Sequence, residues 1–160
     1  MNAGFKDQKN IAHDDGGRII GECCHIIDLF SFLTGSKVES IFSENLSPEN
    51  DYYLPSDNRL ITLKYVDGSV ANIQYFATGN KNLSKEYMEI HFDGKSITMD
   101  DYKSISGYGL NLNVPNLKRS NKGHLEELIE VCTSFETGVP PISIDSLIET
   151  SSVSIQLANM

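Results

Sequence analysis

The hydrophobic and polar positions follow a helical period at both ends of the chain and a strand-like period in the middle. From Arg18 to Leu33, apolar residues cover most of the helical circumference, which predicts a central, buried helix. Asp15 fits the start of this helix and Gly35 fits its end. Two further helices are predicted, from Gly123 to Glu136 and from Asp145 to about Leu157.

The middle of the chain alternates with the two-residue period of strands, and two Asp-Gly pairs mark tight turns. The predicted strands are 38–43, 59–66, 69–77, 87–92, 95–99 and 102–108. Strands joined by two-residue turns run antiparallel, so we expect one mainly antiparallel sheet. The order of helix, sheet and helices predicts an α+β fold, with helices packed on one face and the other face free for oligomerisation.

Composition and charge narrow the function classes without choosing one. With 160 residues, 39% hydrophobic and 22% charged, the chain has the size and composition of one soluble domain. Its net charge of −9 repels nucleic acid phosphates and anionic membranes, so neither is an expected partner. No apolar run reaches the roughly 18 residues of a membrane span, and no signal segment is recognisable, which predicts a cytoplasmic location.

Three polar side chains interrupt the apolar surround of the first helix, namely Glu22, His25 and Asp28. Their spacing makes each a helical neighbour of the next, so that His25 lies between two carboxylates. Buried charge is costly unless the groups pair or meet a ligand, and a histidine held by carboxylates can relay a proton. His25 is therefore the leading catalytic candidate. The alternative is that these side chains satisfy one another in the core.

Arg18 stands at the start of the same helix, next to Gly16-Gly17. Two glycines before a helix let the backbone approach a ligand, and a helix N-terminus favours oxyanions. This pattern predicts a substrate-binding arginine. The alternative is a flexible helix start that carries a solvated arginine.

A metal site is a further alternative. Glu22-x-x-His25 and His124-x-x-Glu127 resemble halves of the carboxylate–histidine sites that form between facing helices. Such sites need carboxylates from additional helices, and the sequence has no further motif of this kind. The three cysteines also lack the spacing of a zinc site or a disulfide framework.

The segment GGRIIGECCHIIDL, residues 16–29, resembles the helix that opens the C-terminal domain of the Gfo/Idh/MocA oxidoreductases. Shared features are the glycine pair, the histidine and an aspartate three residues after it. The likeness continues through residues 69–77, 99–102 and 121–128, so it covers nearly the whole chain in the same order. It is strongest to variants that are fused behind a zinc-type alcohol dehydrogenase-like region.

The resemblance implies a two-domain enzyme in which an N-terminal Rossmann domain binds NAD or NADP. The C-terminal domain then supplies the substrate pocket and an open sheet for oligomerisation, and the substrate is a sugar, nucleotide sugar or cyclitol that reacts at a hydroxyl-bearing carbon. His25 matches the family histidine that meets the reacting hydroxyl. Many members carry Asp four residues before that histidine, where this chain has Gly21, and Glu22 is the nearest substitute. Arg18 and Asp28 complete the expected substrate-binding set, and Asp28, which matches the family aspartate, is expected to act as a structural anchor more than as a catalyst.

No Gly-x-Gly-x-x-Gly fingerprint follows a strand within the 160 residues. We therefore expect residues 1–160 to be a substrate-binding and oligomerisation domain that binds no cofactor and is inactive alone. Its expected partners are its own nucleotide-binding half, a sugar-like molecule and further copies at the open sheet face. The main alternative is a non-enzymatic ligand-binding or scaffolding module.

Overall fold

The computed structural model describes residues 1–2, 17–47, 49 and 57–160, and two compact units make up the chain. The major unit contains Ala3–Asn80 and Ile142–Met160, and the minor unit contains Met1–Asn2 and Lys81–Pro141. Each unit combines an antiparallel sheet with helix, which confirms the α+β class. That residues 1–160 act as one domain stays a prediction.

The first predicted helix is present, but it starts with a π turn. The turn spans Ile19–Cys23 and continues directly into α1, Cys24–Thr34. The Cys24 amide donates to the carbonyl oxygen of Ile19, five residues earlier, which is the hydrogen bond that defines a π turn. Gly35 ends α1 as predicted, because its φ of 61° is the left-handed conformation that stops a helix. The predicted cap Asp15 lies outside the described residues.

The prediction that this helix is buried nearly all round is wrong. The buried side chains are Ile19, Cys23, Ile26 and Ile27. Phe32, by contrast, is 81% exposed, and Leu33 is exposed as well. The helical run packs against α3 (Ile144–Ala158), and this neighbour covers one side of the helix. The apolar positions on the other side have no comparable cover within the major unit.

Three strands form the sheet of the major unit in the order β1, β2, β3, with all neighbours antiparallel. Their bounds are Val38–Asn45, Asn58–Tyr65 and Val70–Phe76. Alternation sets the two faces: the cross-strand pair Ile61 and Ile73 is buried, whereas Leu60, one residue away, is exposed. α3 lies on the buried face, where Arg59 of β2 donates a hydrogen bond to the Leu157 carbonyl.

The two Asp-Gly pairs make different turns. Asp93-Gly94 forms the predicted two-residue turn, with φ values of 45° and 72° that are typical of type I′. The turn at Asp67-Gly68 is one residue longer, because the Tyr65 amide bonds to the Ser69 carbonyl and Gly68 sits in between with φ of 90°. This is the three-residue hairpin loop that ends in a left-handed glycine.

The minor unit has its own antiparallel sheet, so the prediction of a single sheet is wrong. The strands are β4 (Tyr87–Phe92), β5 (Lys95–Asp100) and β6 (Ser104–Tyr108), paired in that order. β6 starts two residues later than predicted. Asp101 and Tyr102 have φ values of 51° and 52°, and a strand cannot contain two consecutive left-handed residues.

The last two helices agree with the sequence to within one residue. α2, His124–Thr137, ends at Gly138 with φ of 70°, and it buries no side chain within the described part of the chain. α3 begins after Ser143, whose Oγ accepts a hydrogen bond from the Ser146 amide at 3.1 Å. In the described ranges, no helix has both the length and the apolar character to cross a bilayer.

Candidate functional site

The four residues predicted as site residues lie on one helical run, and they differ in exposure. Arg18 directly precedes the π turn, Glu22 lies within it, and His25 and Asp28 lie near the start of α1. Arg18 is buried, Glu22 and Asp28 are partly exposed, and His25 is exposed. The interpretation of His25 as a polar group enclosed in the core is therefore wrong. The helical run presents this imidazole at the surface of the major unit.

Arg18 points into the major unit and meets a carboxylate there. Its Nε atom lies 3.0 Å from Oδ2 of Asp57, and the two side chains are 5% and 4% exposed. The alternative of a solvated arginine is wrong. Burying two opposite charges is tolerated when they pair this closely, because each replaces the water that the other has lost.

Two more side chains extend this pair toward the surface. Nη1 of Arg18 lies 3.9 Å from Oε1 of Glu22, whose side chain is 28% exposed, and the hydroxyl of buried Tyr75 interacts with both. Burial lowers the pKa of Arg18, but the nearby Tyr75 hydroxyl and the charges of Asp57 and Glu22 outweigh it, so the pKa lies above its usual value. We call Arg18, Asp57, Glu22 and Tyr75 the arginine cluster.

Asp57 and Tyr75 were missed in the sequence. Asp57 directly precedes β2, and Tyr75 takes an inward position on β3, two residues after buried Ile73. The alternation of β3 predicts that Tyr75 faces inward. That Tyr75 lies near Arg18 depends on how the helical run packs against the sheet, and the sequence has no local signal for this packing.

Asp28 is engaged inside the protein. Its Oδ1 accepts a hydrogen bond from the Thr150 hydroxyl of α3 at 3.0 Å. A similar contact lies one residue earlier on α3, where Glu149 Oε1 accepts from the amide of Val38 at 2.8 Å. These bonds tie α3 to α1 and to β1, which gives Asp28 a structural function. Its predicted role in substrate binding stays a prediction.

Cys23, inside the π turn, is fully buried. Burial, with a further contribution from neighbouring Cys24, raises the pKa of Cys23 to about 12. The thiol is therefore neutral at physiological pH and unsuited to nucleophilic chemistry, because the thiolate is the reactive form. Cys23 acts as a small apolar side chain under the helix.

The metal interpretation gains no support. His124 and Glu127 approach each other at 3.9 Å in the minor unit, where both are largely exposed. Within residues 1–2, 17–47, 49 and 57–160, no three His, Cys, Asp or Glu side chains are grouped so that they could hold a metal ion. The four residues considered from the sequence are not grouped in this way.

An ion pair with a buried carboxylate lies in the minor unit and was also missed. Both carboxylate oxygens of Glu86 lie within 2.9 Å of the Lys122 ammonium, and the two side chains are 2% and 33% exposed. The ammonium also lies 5.2 Å from the centre of the Tyr102 ring. Burial and the charge of Glu86 raise the pKa of Tyr102. We call this group the lysine cluster.

Comparison with known proteins gives one family match along most of the chain. The family described as "Oxidoreductase family, C-terminal alpha/beta domain" matches residues 6–140. No curated protein sequence matches the chain significantly.

Several solved structures share its fold. UDP-N-acetylglucosamine 3-dehydrogenase GnnA from Acidithiobacillus ferrooxidans is 17% identical with a TM-score of 0.76, over 99% of this chain and 50% of that one. An aldose-aldose oxidoreductase from Caulobacter crescentus, complexed with glycerol, is 13% identical with a TM-score of 0.70, over 99% and 52%. The WlbA dehydrogenase from Bordetella pertussis, in complex with NADH and UDP-GlcNAcA, is 12% identical with a TM-score of 0.52, over 88% and 43%. The chain thus spans about half the length of the structures that it matches.

Proposed function

The chain belongs to the C-terminal alpha/beta domains of the Gfo/Idh/MocA oxidoreductase family, and we propose that it is the substrate-binding and oligomerisation half of an NAD(P)-dependent oxidoreductase. The other half, a Rossmann domain, supplies the cofactor. The substrate is a sugar, nucleotide sugar or cyclitol that reacts at a hydroxyl-bearing carbon. The chain by itself is inactive.

One observation carries this proposal: the protein uses two of its four candidate polar residues internally and presents the other two. Arg18 pairs with Asp57, and Asp28 accepts a hydrogen bond from Thr150. His25 is exposed and Glu22 is partly exposed on the same helical run. A hydroxylated ligand can reach the exposed imidazole and carboxylate, which are the groups that recognise and deprotonate hydroxyls.

NAD(P) does not fit the described residues. Dinucleotides bind at the carboxyl edge of parallel strands, where a glycine-rich turn leads into a helix. Both described sheets are antiparallel throughout, and the helical run with the π turn does not follow a described strand. No step through the cofactor is therefore assigned to residues of this chain.

What the chain contributes is proton handling and orientation. His25 holds or accepts the proton of the reacting hydroxyl at an imidazole nitrogen, as the matching family histidine implies. Glu22 accepts hydrogen bonds from hydroxyls of the same substrate and replaces the Asp that the family often has at the position of Gly21. Arg18 acts from inside the protein.

The names of the similar structures support the substrate class. They include a nucleotide-sugar dehydrogenase and an aldose oxidoreductase, and a third structure contains NADH with a nucleotide sugar. For oligomerisation, the support is the exposed face of the β1–β3 sheet, where Phe42 and Leu60 are exposed. The sequence likeness further favours fusion behind a zinc-type alcohol dehydrogenase-like region.

The experiment that tests the function uses a protein in which this chain follows its nucleotide-binding half. UDP-N-acetylglucosamine, glucose and myo-inositol are each offered with NAD⁺ or NADP⁺, and the absorbance of the reduced cofactor is followed. His25→Ala is expected to lower kcat roughly 10²- to 10⁴-fold, the usual share of a general acid or base. His91→Ala is the matched control, because His91 is also exposed but lies in the minor unit.

Unchanged turnover of a folded His25→Ala protein would favour the non-enzymatic module instead. The isolated chain gives a second test. Calorimetric titration with NADH is expected to show no binding, because the expected dinucleotide site belongs to the other half. Micromolar affinity of the chain for NADH would contradict the proposal that the cofactor site belongs to the other half.

A further inference from the structure

We propose that Arg18 is a positioning residue for Glu22: anchored in the core by Asp57, its guanidinium holds the Glu22 carboxylate in one orientation, three residues before His25. Arg18 contacts no substrate in this proposal. The inference rests on the proposed function of Glu22 and His25, and it assigns to Arg18 a role different from the substrate contact expected from the sequence.

The geometry of the guanidinium is the first argument. Arginine presents its N–H groups in a rigid planar fork, so the position of one edge fixes the position of the other. Nε lies 3.0 Å from Asp57, and Nη1 on the same plane lies 3.9 Å from Glu22. Since Arg18 and Asp57 are almost completely buried, the inner edge of the fork is fixed by packing.

The gradient of exposure is the second argument. Side-chain exposure rises from 4% at Asp57 and 5% at Arg18 to 28% at Glu22. A partly exposed glutamate has three rotatable bonds and would lose side-chain entropy when it is held in one rotamer. A cation fixed in the core beside it favours the rotamers that bring the carboxylate close. The hydroxyl of buried Tyr75 lies near both groups, whose charges act on its pKa.

The π turn is the third argument. It begins directly after Arg18 and contains Glu22. A π turn inserts an extra residue into a helix, is less stable than the α-helical alternative and occurs mostly at functional sites. Here the ion pair of Arg18 with Glu22, four residues later, spans this turn directly before α1 begins at Cys24.

The first test is made on the 160-residue chain and needs no substrate. Side-chain NMR relaxation and three-bond couplings report whether Glu22 occupies one rotamer. Arg18→Lys retains the charge but removes the fork, and we expect Glu22 to change from one rotamer to an average over several. Asp28 is the internal control, because it lies on the same helical run but is held by Thr150. Its couplings are expected to stay unchanged.

Tyr75→Phe provides a milder variant in case Arg18→Lys unfolds the chain. It removes one hydroxyl that interacts with Arg18 and Glu22, and it retains the buried ring. We expect partial rotamer averaging at Glu22 alone. A Glu22 side chain that keeps a single rotamer in every folded variant would overturn the proposal.

The second test is a double-mutant cycle in the two-domain protein, with UDP-N-acetylglucosamine and NAD⁺ as the probe pair. Arg18→Lys is expected to lower kcat roughly 10- to 100-fold, as misplacement of a reacting group does, with a smaller change in KM. If Arg18 acts through Glu22, then Arg18→Lys combined with Glu22→Gln is no slower than Glu22→Gln alone. Effects that multiply would overturn the proposal.

A control variant separates positioning from general stability. Lys122→Met also removes the cationic partner of a buried carboxylate, but in the minor unit, and we expect kcat of the folded protein to stay unchanged. If Glu22→Gln leaves kcat unchanged, the proposed function of Glu22 fails and the catalytic meaning of the cluster fails with it. If wild type turns over no probe, the proposed substrate class fails, and the NMR test still decides whether Arg18 positions Glu22.

Discussion

Among the described residues, each unit contains an ion pair with a buried carboxylate, and the two pairs are built differently. In the arginine cluster, both partners of the inner pair are about 95% covered, and a third charge, on Glu22, leads toward the surface. In the lysine cluster the carboxylate of Glu86 is covered, while the ammonium of Lys122 is one-third exposed. The ammonium donates a hydrogen bond to Oε1 of Glu86 and lies 2.8 Å from Oε2.

The difference indicates two functions for buried charge. The lysine cluster closes on itself and fastens the segment before α2 to the turn after β5, where the Asn121 amide also bonds to the Tyr102 carbonyl. In the arginine cluster, by contrast, a guanidinium fixed in the core restrains the partly exposed carboxylate of Glu22, which lies near an exposed histidine. An ion pair with a purely structural function does not need to extend to a partly exposed carboxylate. We therefore assign the candidate site to the major unit.

Asp57→Asn should produce the largest effect on stability, because it leaves the buried guanidinium of Arg18 without its nearest charge. Breaking one partner of a buried pair costs about 3–5 kcal/mol of unfolding free energy. Urea denaturation followed by circular dichroism measures this loss. Lys64→Met is the control, since Lys64 and Glu39 form an exposed pair at 3.3 Å.

The control is expected to change the unfolding free energy by no more than about 1 kcal/mol, as surface pairs do. If Asp57→Asn loses as little unfolding free energy as this control, water or another group must replace the carboxylate beside Arg18. The proposed difference between the arginine cluster and the lysine cluster would then be unsupported.

Lys122→Met should cost less, about 3 kcal/mol, at the lower end of the range for broken buried pairs, because the ammonium is already partly hydrated. Hydrogen exchange locates the effect. The amides of Leu117 and Asn121, which bond to carbonyls of Lys103 and Tyr102, should exchange faster. Amides of β2 should keep their protection. Equal loss of protection in β2 would contradict the assignment of each cluster to its own unit.

The sequence predicted the elements well because their signals are local. Helical periodicity, the glycine after α1 and the Asp-Gly turn of the second hairpin each depend on a few neighbouring residues. The errors are non-local. Because α1 has apolar residues on all sides, its sequence does not indicate which side α3 covers. The alternating pattern of the strands likewise does not indicate that the six strands form two sheets.

The candidate site was predicted only in its helical part. Glu22, His25 and Asp28 stand out because polar residues in an apolar helix need an explanation. Asp57 and Tyr75 carry no such signal, because an aspartate before a strand and a tyrosine within one are ordinary residues there. The lysine cluster joins Glu86 to Lys122 across 36 positions. Its member Tyr102 and the preceding Asp101 both have left-handed backbones although neither is a glycine, and the sequence has no local signal for that.

A smaller effect, on pH dependence, tests the turn that the lysine cluster holds. The hydrogen bond from Lys103 lowers the pKa of Asp101, and Ser120 adds to this. Since the folded pKa lies below the unfolded value near 4, the stabilisation is complete above about pH 5 and is lost as the pH falls through the folded value. Asp101→Asn should reduce the unfolding free energy at neutral pH by about 0.5–1 kcal/mol, because Lys103 is largely hydrated.

Urea titrations of wild type and Asp101→Asn at about pH 7 and about pH 2 measure this difference, which should shrink toward zero at the lower pH. A difference that is independent of pH would show that Asp101 stabilises the turn through its backbone conformation and not through its charge.

Cysteine labelling measures the accessibility of a thiol and not an unfolding free energy. It can therefore probe the π turn beside the arginine cluster directly. Cys23 lies within the π turn, fully buried and with its pKa raised to about 12, whereas Cys132 is exposed on α2. Iodoacetamide should therefore modify Cys132 and spare Cys23, as measured by mass spectrometry of digested protein. A variant that combines Cys24→Ser with Cys132→Ser removes the partly exposed and the exposed thiol, so that any remaining signal comes from Cys23.

Asp57→Asn should accelerate labelling of Cys23, because the π turn loses the anchor on which Arg18 depends, and Lys122→Met should leave that rate unchanged. Equal acceleration by both variants would mean that the two clusters share one opening event. Labelling of Cys23 in wild type as fast as that of Cys132 would mean that the π turn opens readily, and a turn that opens readily cannot hold Glu22 in place for a substrate.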